Sequence, residues 1–86
     1  MSYQLWFSQV ERVVRRVREV VNALIDPQID VDEENNELVL VYNIGDYEDA
    51  KIIADFLNNL LRREVREGLV NITQVDTRID VYVKTK

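Results

Sequence analysis

The 86-residue chain contains no cysteine and no histidine, and it has only two glycines and one proline. Without cysteine it can form neither a disulfide bond nor a thiolate metal site. Without histidine it lacks the commonest metal ligand and the commonest general base near neutral pH. These absences exclude Ser-His-Asp catalysis, Cys-His catalysis and zinc chemistry built on these ligands.

Long apolar runs are also missing from the sequence. No uninterrupted apolar stretch approaches the roughly 20 residues that a membrane-spanning helix needs. Arg12, Arg15, Arg16 and Arg18 interrupt the region in which a signal peptide would carry its apolar segment. We therefore predict a cytoplasmic protein with no membrane partner, folded as a single domain over residues 1–86.

Charge is distributed unevenly along the chain. The net charge is −5, and residues 26–50 hold nine acidic residues and no basic one, whereas each flanking region is slightly basic. An acidic block of this size disfavours contact with nucleic-acid phosphates, so we expect no direct nucleic-acid binding. The same block is compatible with a basic protein partner.

Apolar periodicity predicts two amphipathic helices, the first over residues 4–25 and the second beginning after Asp46 and ending before Gly68. Asp46 is a suitable N-cap, and Gly68 suits the position just past the helix. The first stripe consists of Trp6, Phe7, Val10, Val13, Val14, Val17, Val20, Val21, Leu24 and Ile25, and the second of Tyr47, Ala50, Ile53, Ala54, Leu57, Leu60, Leu61 and Val65.

Alternating apolar residues predict four strands, β1 (28–33), β2 (37–43), β3 (69–75) and β4 (78–84). Asn35-Asn36 joins β1 to β2 and Asp76-Thr77 joins β3 to β4, and both pairs suit tight hairpin turns. β2 is apolar on both faces, which is typical of a strand in the centre of a sheet. The predicted order across the sheet is β1-β2-β4-β3.

The two halves of the chain, residues 1–45 and 46–86, have matching patterns. A shift of 40 residues superimposes the helical stripes, and a shift of 41 superimposes the hairpins. The pattern predicts an α+β fold with an αββαββ pseudo-twofold repeat, in which two helices cover one face of a four-stranded antiparallel sheet. This arrangement is a circularly permuted ferredoxin-like fold.

Asp30, Asp32 and Glu34 form the first candidate site. They alternate along the sequence, so we expect them on the sheet face that points away from the helices. Three carboxylates there suit a basic protein partner, or less well a Ca²⁺ or Mg²⁺ ion. We favour the alternative that charge on an edge strand prevents sheet-to-sheet association, and we predict no metal and no cofactor.

Charged residues of the helices have simpler explanations. Asp46, with the acids that follow it at 48 and 49, suits the positive end of a helix dipole. The arginines of the first helix form a solvated face or a docking surface for an acidic partner, such as the hairpin of another copy.

Two apolar groups lie off the predicted core stripes. Ile52 and Phe56 are one turn apart beside the stripe of the second helix. Val39 and Val41, with Tyr82 on the neighbouring strand, are expected on the uncovered sheet face. Single exposed apolar residues are common, but two groups on so small a domain favour self-association.

Together these features predict a small non-catalytic interaction or assembly module, either a homodimer or an accessory subunit of a larger complex. The first alternative is an acidic inhibitor, or nucleic-acid mimic, that binds a basic site on an enzyme. The second alternative is a divalent-cation-dependent enzyme that uses paired carboxylates. With only two glycines, the sequence has no glycine-rich pocket-forming loop that would support the enzyme.

Overall fold

The computed structural model describes residues 11–22 and 26–85 of the chain. It is an α+β fold with a four-stranded antiparallel sheet in the order β1-β2-β4-β3. The strands are β1 Gln28–Asp32, β2 Glu37–Asn43, β3 Val70–Val75 and β4 Arg78–Lys84. The predicted sheet order and the central position of β2 and β4 are confirmed.

The first helix is α-helical over residues 11–17 (α1) and continues as a π-helix over Arg18–Asn22. The apolar periodicity did not indicate this change of helix type. Val13, Val17 and Val21 of the predicted stripe are buried. Val14 is half-buried and packs against the core. The other stripe positions, Trp6, Phe7, Val10, Leu24 and Ile25, and the side chain of Val20 lie outside the described residues.

The second helix consists of two segments, α2 Tyr47–Leu60 and α3 Arg62–Arg66. Asp46 caps α2 as predicted, because its Oδ2 accepts a hydrogen bond from the backbone N–H of Asp49 at 2.9 Å. This bond satisfies one of the N–H groups that the first turn of a helix leaves unpaired.

A break at Leu61 separates α2 from α3, where the backbone adopts φ −104° and ψ 26°. The N–H of Leu61 still donates to Leu57 O, and the N–H of Val65 to Leu61 O, each at 2.9 Å. These two bonds lie on either side of the break, and both leucines stay fully buried. Gly68 ends the second helix with φ 78°, as expected for its position.

The turns between the strands follow the predicted residues in part. Asn36 has φ 54° and Asp76 has φ 57°, so one residue of each predicted pair adopts the left-handed conformation. Asparagine and aspartate tolerate this conformation better than other residues with a Cβ. The neighbouring Asn35 and Thr77 keep negative φ values.

One face of the sheet packs against the helices and forms the core. The alternating residues of β2, β4 and β3 contribute one half, and α1, the π-helix, α2 and the break between α2 and α3 contribute the other. The buried apolar residues are Val13, Val17, Val21, Leu40, Tyr42, Ala50, Ala54, Leu57, Leu61, Val70, Ile72, Ile79, Val81 and Val83.

Tyr42 is the largest of the fully buried side chains. Burial raises the pKa of its hydroxyl to about 12, although the nearby positive charge of Arg18 acts in the opposite direction. The hydroxyl therefore stays neutral throughout the physiological pH range.

Apolar residues of β1 and one residue of the second helical stripe are more exposed than their alternation and periodicity predict. Ile29 and Val31 of β1 are 58% and 66% exposed, although they lie opposite Leu40 and Leu38 on the covered face. β1 is an edge strand, whereas α2 packs against β3 and β4 at the other side of the sheet. Tyr47 is also 53% exposed, because it occupies the first turn of α2.

The described helices include none that is long and apolar enough to cross a membrane.

Core truncation should separate the buried helix faces from the solvated ones. We expect Leu57→Ala to lower the free energy of unfolding by about 2–5 kcal/mol, and Val17→Ala by less, because both side chains are fully buried. Arg15→Ala should change it by less than about 0.5 kcal/mol, because Arg15 is largely exposed and its ion pair with Glu11, one turn away, is exposed as well. Urea unfolding followed by circular dichroism tests this, and equal midpoints for the three variants would contradict the helix assignment.

Candidate functional site

The turn between β1 and β2 is held by a network of short polar contacts. The carboxylate of Asp32 accepts hydrogen bonds from the Asn35 side-chain amide at 2.8 Å and from the Asn35 backbone N–H at 3.2 Å. These bonds, the side-chain one first, lower the pKa of Asp32. At the other side of the turn, the Thr85 N–H and hydroxyl donate to Asn36 O at 2.8 and 2.7 Å. The turn is therefore tied to the end of β4.

The predicted acidic site lies on this ordered hairpin. Asp30 is opposite Val39 and Asp32 is opposite Glu37, so both project from the uncovered sheet face, while Glu34 lies in the turn. Asp30 and Glu34 are exposed and Asp32 is half-buried. The described residues contain no group of three or more acidic side chains placed to hold a metal ion. We call Asp30, Asp32, Glu33 and Glu34 the acidic hairpin.

The uncovered sheet face brings the predicted apolar residues together. Val39 lies directly opposite Tyr82, and Val41 lies opposite Asp80. All three apolar side chains are half-buried. Asp80 is buried and accepts two hydrogen bonds from Arg78, from Nε at 3.0 Å and from Nη2 at 3.2 Å. This ion pair interrupts the apolar patch, so the patch is small.

Ile52 and Phe56 lie on the outer face of α2, away from the sheet. Their side chains are 63% and 54% exposed, and they are one helical turn apart. Asn59 follows Phe56 by three residues, and Arg63 follows Asn59 by four. Ile52, Phe56 and Asn59 therefore form one stripe along α2, and Arg63 follows in α3 after the break at Leu61.

The stripe ends at a polar groove between α1 and the α2–α3 segment, which sequence reasoning did not identify. The groove has a volume of about 410 Å³. Four arginines and two glutamates contribute to its walls. Its lining residues are Arg12, Arg16, Asn59, Leu60, Arg62, Arg63, Glu64 and Glu67. We call it the arginine groove.

A partly buried ion pair contributes to the lining of the arginine groove. Glu64 is only 4% exposed, and its Oε2 accepts a hydrogen bond from Arg16 Nη1 at 2.8 Å. Arg16 Nη2 also donates to the backbone carbonyl of Leu60. Burying a carboxylate is costly unless a cation and hydrogen bonds accompany it, so Arg16 is the residue that permits Glu64 to lie in the interior. The pair connects α1 to α3.

The other guanidinium groups of the groove are not engaged. Within residues 11–22 and 26–85, Arg12, Arg62 and Arg63 make neither a hydrogen bond nor an ion pair. The second carboxylate oxygen of Glu64, Oε1, is buried without a hydrogen-bond partner among the described residues. The groove thus combines one fixed arginine with three unpaired ones.

The sequence contained one signal for this groove. Leu57, Leu61 and Glu64 follow each other at spacings of four and three residues, so Glu64 falls on the buried face of the helix. An acidic residue on an apolar stripe needs a cation nearby. Periodicity alone does not show that Arg16, 48 residues away, supplies it.

No protein-family model, curated protein or solved structure matches this chain.

Replacing Arg16 should reveal how strongly Glu64 depends on its partner. We expect Arg16→Met to lower the free energy of unfolding by about 1–3 kcal/mol, because it leaves a buried charged acceptor without its donor. The lower half of this range applies, since the Arg16 side chain is 35% exposed and solvent weakens the pair. Urea unfolding gives the difference.

The matched control is Arg12→Met, which removes another arginine of the same groove. Because Arg12 has no partner among the described residues, its replacement should change stability by less than about 0.5 kcal/mol. Equal effects for the two variants would mean that the Arg16–Glu64 pair does not hold α1 against α3.

Proposed function

We propose that the protein is a small non-catalytic interaction module of the cytoplasm that self-associates, as a homodimer or within a larger complex. One observation carries this proposal. Ile52 and Phe56 expose more than half of their side chains on the outer face of α2, in line with Asn59 and Arg63 of the groove.

The composition of this stripe supports a protein partner. Phenylalanine and arginine are enriched at protein–protein interfaces, where aromatic side chains occupy the centre and polar groups the rim. Because Ile52 and Phe56 are 63% and 54% exposed, burying the rest of each side chain stabilises a complex by roughly 1–2 kcal/mol before the costs of association. A second copy of the chain is present wherever the protein is, so self-association requires no other partner.

The relation between the two halves of the fold is part of the proposal. We propose that residues 1–45 and 46–86 are pseudo-twofold repeats in a permuted ferredoxin-like arrangement. In support, each half ends in a hairpin whose turn has one residue with positive φ, Asn36 or Asp76. The second strand of each hairpin lies in the centre of the sheet.

Polar substitution of the stripe tests the self-association. We expect wild-type protein to sediment as a dimer or larger species at high micromolar concentration. Ile52→Gln combined with Phe56→Gln should weaken association at least about tenfold, or 1.4 kcal/mol, because glutamine keeps helix propensity but removes the apolar contact. Sedimentation velocity at several concentrations provides the measurement.

The control for this experiment is Val75→Thr, which removes apolar surface from the edge strand β3. Val75 is 47% exposed and lies outside the α2–α3 stripe. It should leave association unchanged. A monomeric wild-type protein, or equal effects of the stripe and control variants, would refute the proposal.

A second candidate function follows from the acidic hairpin. An acidic inhibitor or nucleic-acid mimic would present such a surface to a basic site on an enzyme. In support, Asp30, Glu33 and Glu34 are exposed and have no ion-pair partner among the described residues. The described residues offer no observation in favour of the divalent-cation-dependent enzyme.

Neutralising the hairpin tests this second candidate. We expect Asp30→Asn, Asp32→Asn and Glu34→Gln together to slow association with an oligolysine peptide about tenfold and to reduce its salt dependence, because clustered charge accelerates encounter. Stopped-flow fluorescence at two ionic strengths gives the rates. The fold should survive, since the amide oxygen introduced by Asp32→Asn would still accept a hydrogen bond from Asn35.

The matched control removes three acids elsewhere, through Glu48→Gln, Asp55→Asn and Asp76→Asn. It changes the net charge by the same amount but leaves the acidic hairpin intact. If both triple variants slow association equally, net charge alone governs the rate, and the hairpin has no special role.

A further inference from the structure

We propose that the arginine groove binds the acidic hairpin of a second copy, and that two copies exchange these contacts reciprocally in a symmetric dimer. The inference rests on the proposed self-association and assigns the surfaces that form it.

The groove has the chemistry of a carboxylate site. Arg12, Arg62 and Arg63 are unpaired among the described residues, and Arg16 is fixed beside them by Glu64. A guanidinium group presents a planar set of donors that matches a carboxylate in a bidentate contact. The groove lining contains four arginines and two glutamates, although the net charge of the chain is −5.

The acidic hairpin is ordered before it binds. The hydrogen bonds of Asp32 with Asn35, and those of Thr85 with Asn36, hold the turn in one conformation. Docking a preformed turn avoids the cost of ordering a flexible segment. Its carboxylates are spaced along the chain, so separate arginines can each receive one.

Both surfaces lie at the same end of the molecule. Asp32 is opposite Glu37, and Glu37 is opposite Lys84, so the acidic hairpin is at the end of the sheet where β4 finishes. Leu69, which follows α3, accepts a hydrogen bond from the Lys84 N–H at 2.8 Å, so α3 reaches that same end. The hairpin belongs to edge strand β1, whereas α3 leads into the opposite edge strand β3.

This placement allows a closed pair. A twofold axis through that end of the sheet brings the hairpin of each copy to the groove of the other, so every contact occurs twice. Ile52 and Phe56 extend the same stripe away from the groove and supply the apolar flank of the interface. Charge then selects the partner and the register, while the apolar flank contributes affinity.

Charge reversal on each surface tests the contact directly. The groove variant combines Arg62→Glu with Arg63→Glu, and the hairpin variant combines Asp30→Lys with Glu34→Lys. Arg16, Glu64 and Asp32 are left unchanged because they support the fold. Each variant alone should dimerise at least about tenfold more weakly than wild type, because like charges then face each other. An equimolar mixture should restore a 1:1 dimer, since both reciprocal contacts are again between opposite charges.

Sedimentation velocity, with one variant fluorescently labelled, measures each state, and thermal melting checks that both variants fold. The control variant, Lys51→Glu with Arg66→Glu, has the same net charge as the groove variant but leaves the groove lining intact. It should dimerise like wild type. Association of wild type should also weaken steeply with added sodium chloride.

The outcomes separate the two proposals. If wild type is monomeric, self-association and this inference both fail. If wild type dimerises and the reversed variants dimerise equally well, self-association stands and the groove–hairpin contact is wrong. If the mixture does not restore the dimer, while inorganic phosphate binds wild type but not the groove variant in calorimetry, the groove is a site for small anions and the inference is overturned.

Discussion

Burial of a single sheet face is the constraint on which the rest of this structure depends. The chain has no cysteine with which to form a disulfide, so its stability comes from the apolar core. That core lies between one face of β2, β4 and β3 and the helices, with fully buried residues such as Leu40, Val81 and Leu57. The surfaces outside this core do not have to be apolar. They carry the unpaired arginines of the groove and the exposed side chains of Ile52 and Phe56.

The buried Glu64 shows how the core constrains the surface next to it. A carboxylate at this depth requires a cation, and Arg16 supplies it from α1. The same contact fixes the spacing between α1 and α3, and thereby shapes the groove lined by Arg12, Arg62 and Arg63. Glu64, which lies on the buried face of the helix, thus also determines where the unpaired guanidinium groups lie. Removing its partner would alter the groove together with the stability of the fold.

Local sequence patterns predicted those elements that depend on local chemistry. Period-two alternation identified the four strands and, with polarity, their order in the sheet. Asp46 marked the start of α2 and Gly68 the end of α3, because caps depend on single side chains and on glycine's freedom at positive φ. The acidic hairpin and the exposed pair Ile52 and Phe56 were also recognisable from charge and spacing alone.

The features that escaped prediction depend on contacts between distant residues. Helical periodicity does not distinguish the π-helix at Arg18–Asn22 from a continued α-helix, because both keep Val17 and Val21 on the buried side. Ile29 is exposed because α2 packs against β3 and β4 at the other side of the sheet, which the alternation within β1 does not reveal. The groove escaped prediction because it forms only where α1 approaches α3 in the folded chain.

The uneven distribution of charge along the sequence can be interpreted only when the positions of the charged segments in the fold are known. Acids are concentrated in residues 26–50, and the arginines of the groove come from both flanking regions. Folding brings the two basic segments together at the groove, whereas the acidic hairpin lies on β1, the edge strand opposite β3. Within one molecule the described residues make no ion pair between these surfaces. Since the described residues of the two surfaces are not paired within one copy, each surface is available to a second one. In the proposed dimer, salt would screen the contact between the two molecules and leave the core, which is held by apolar burial, intact.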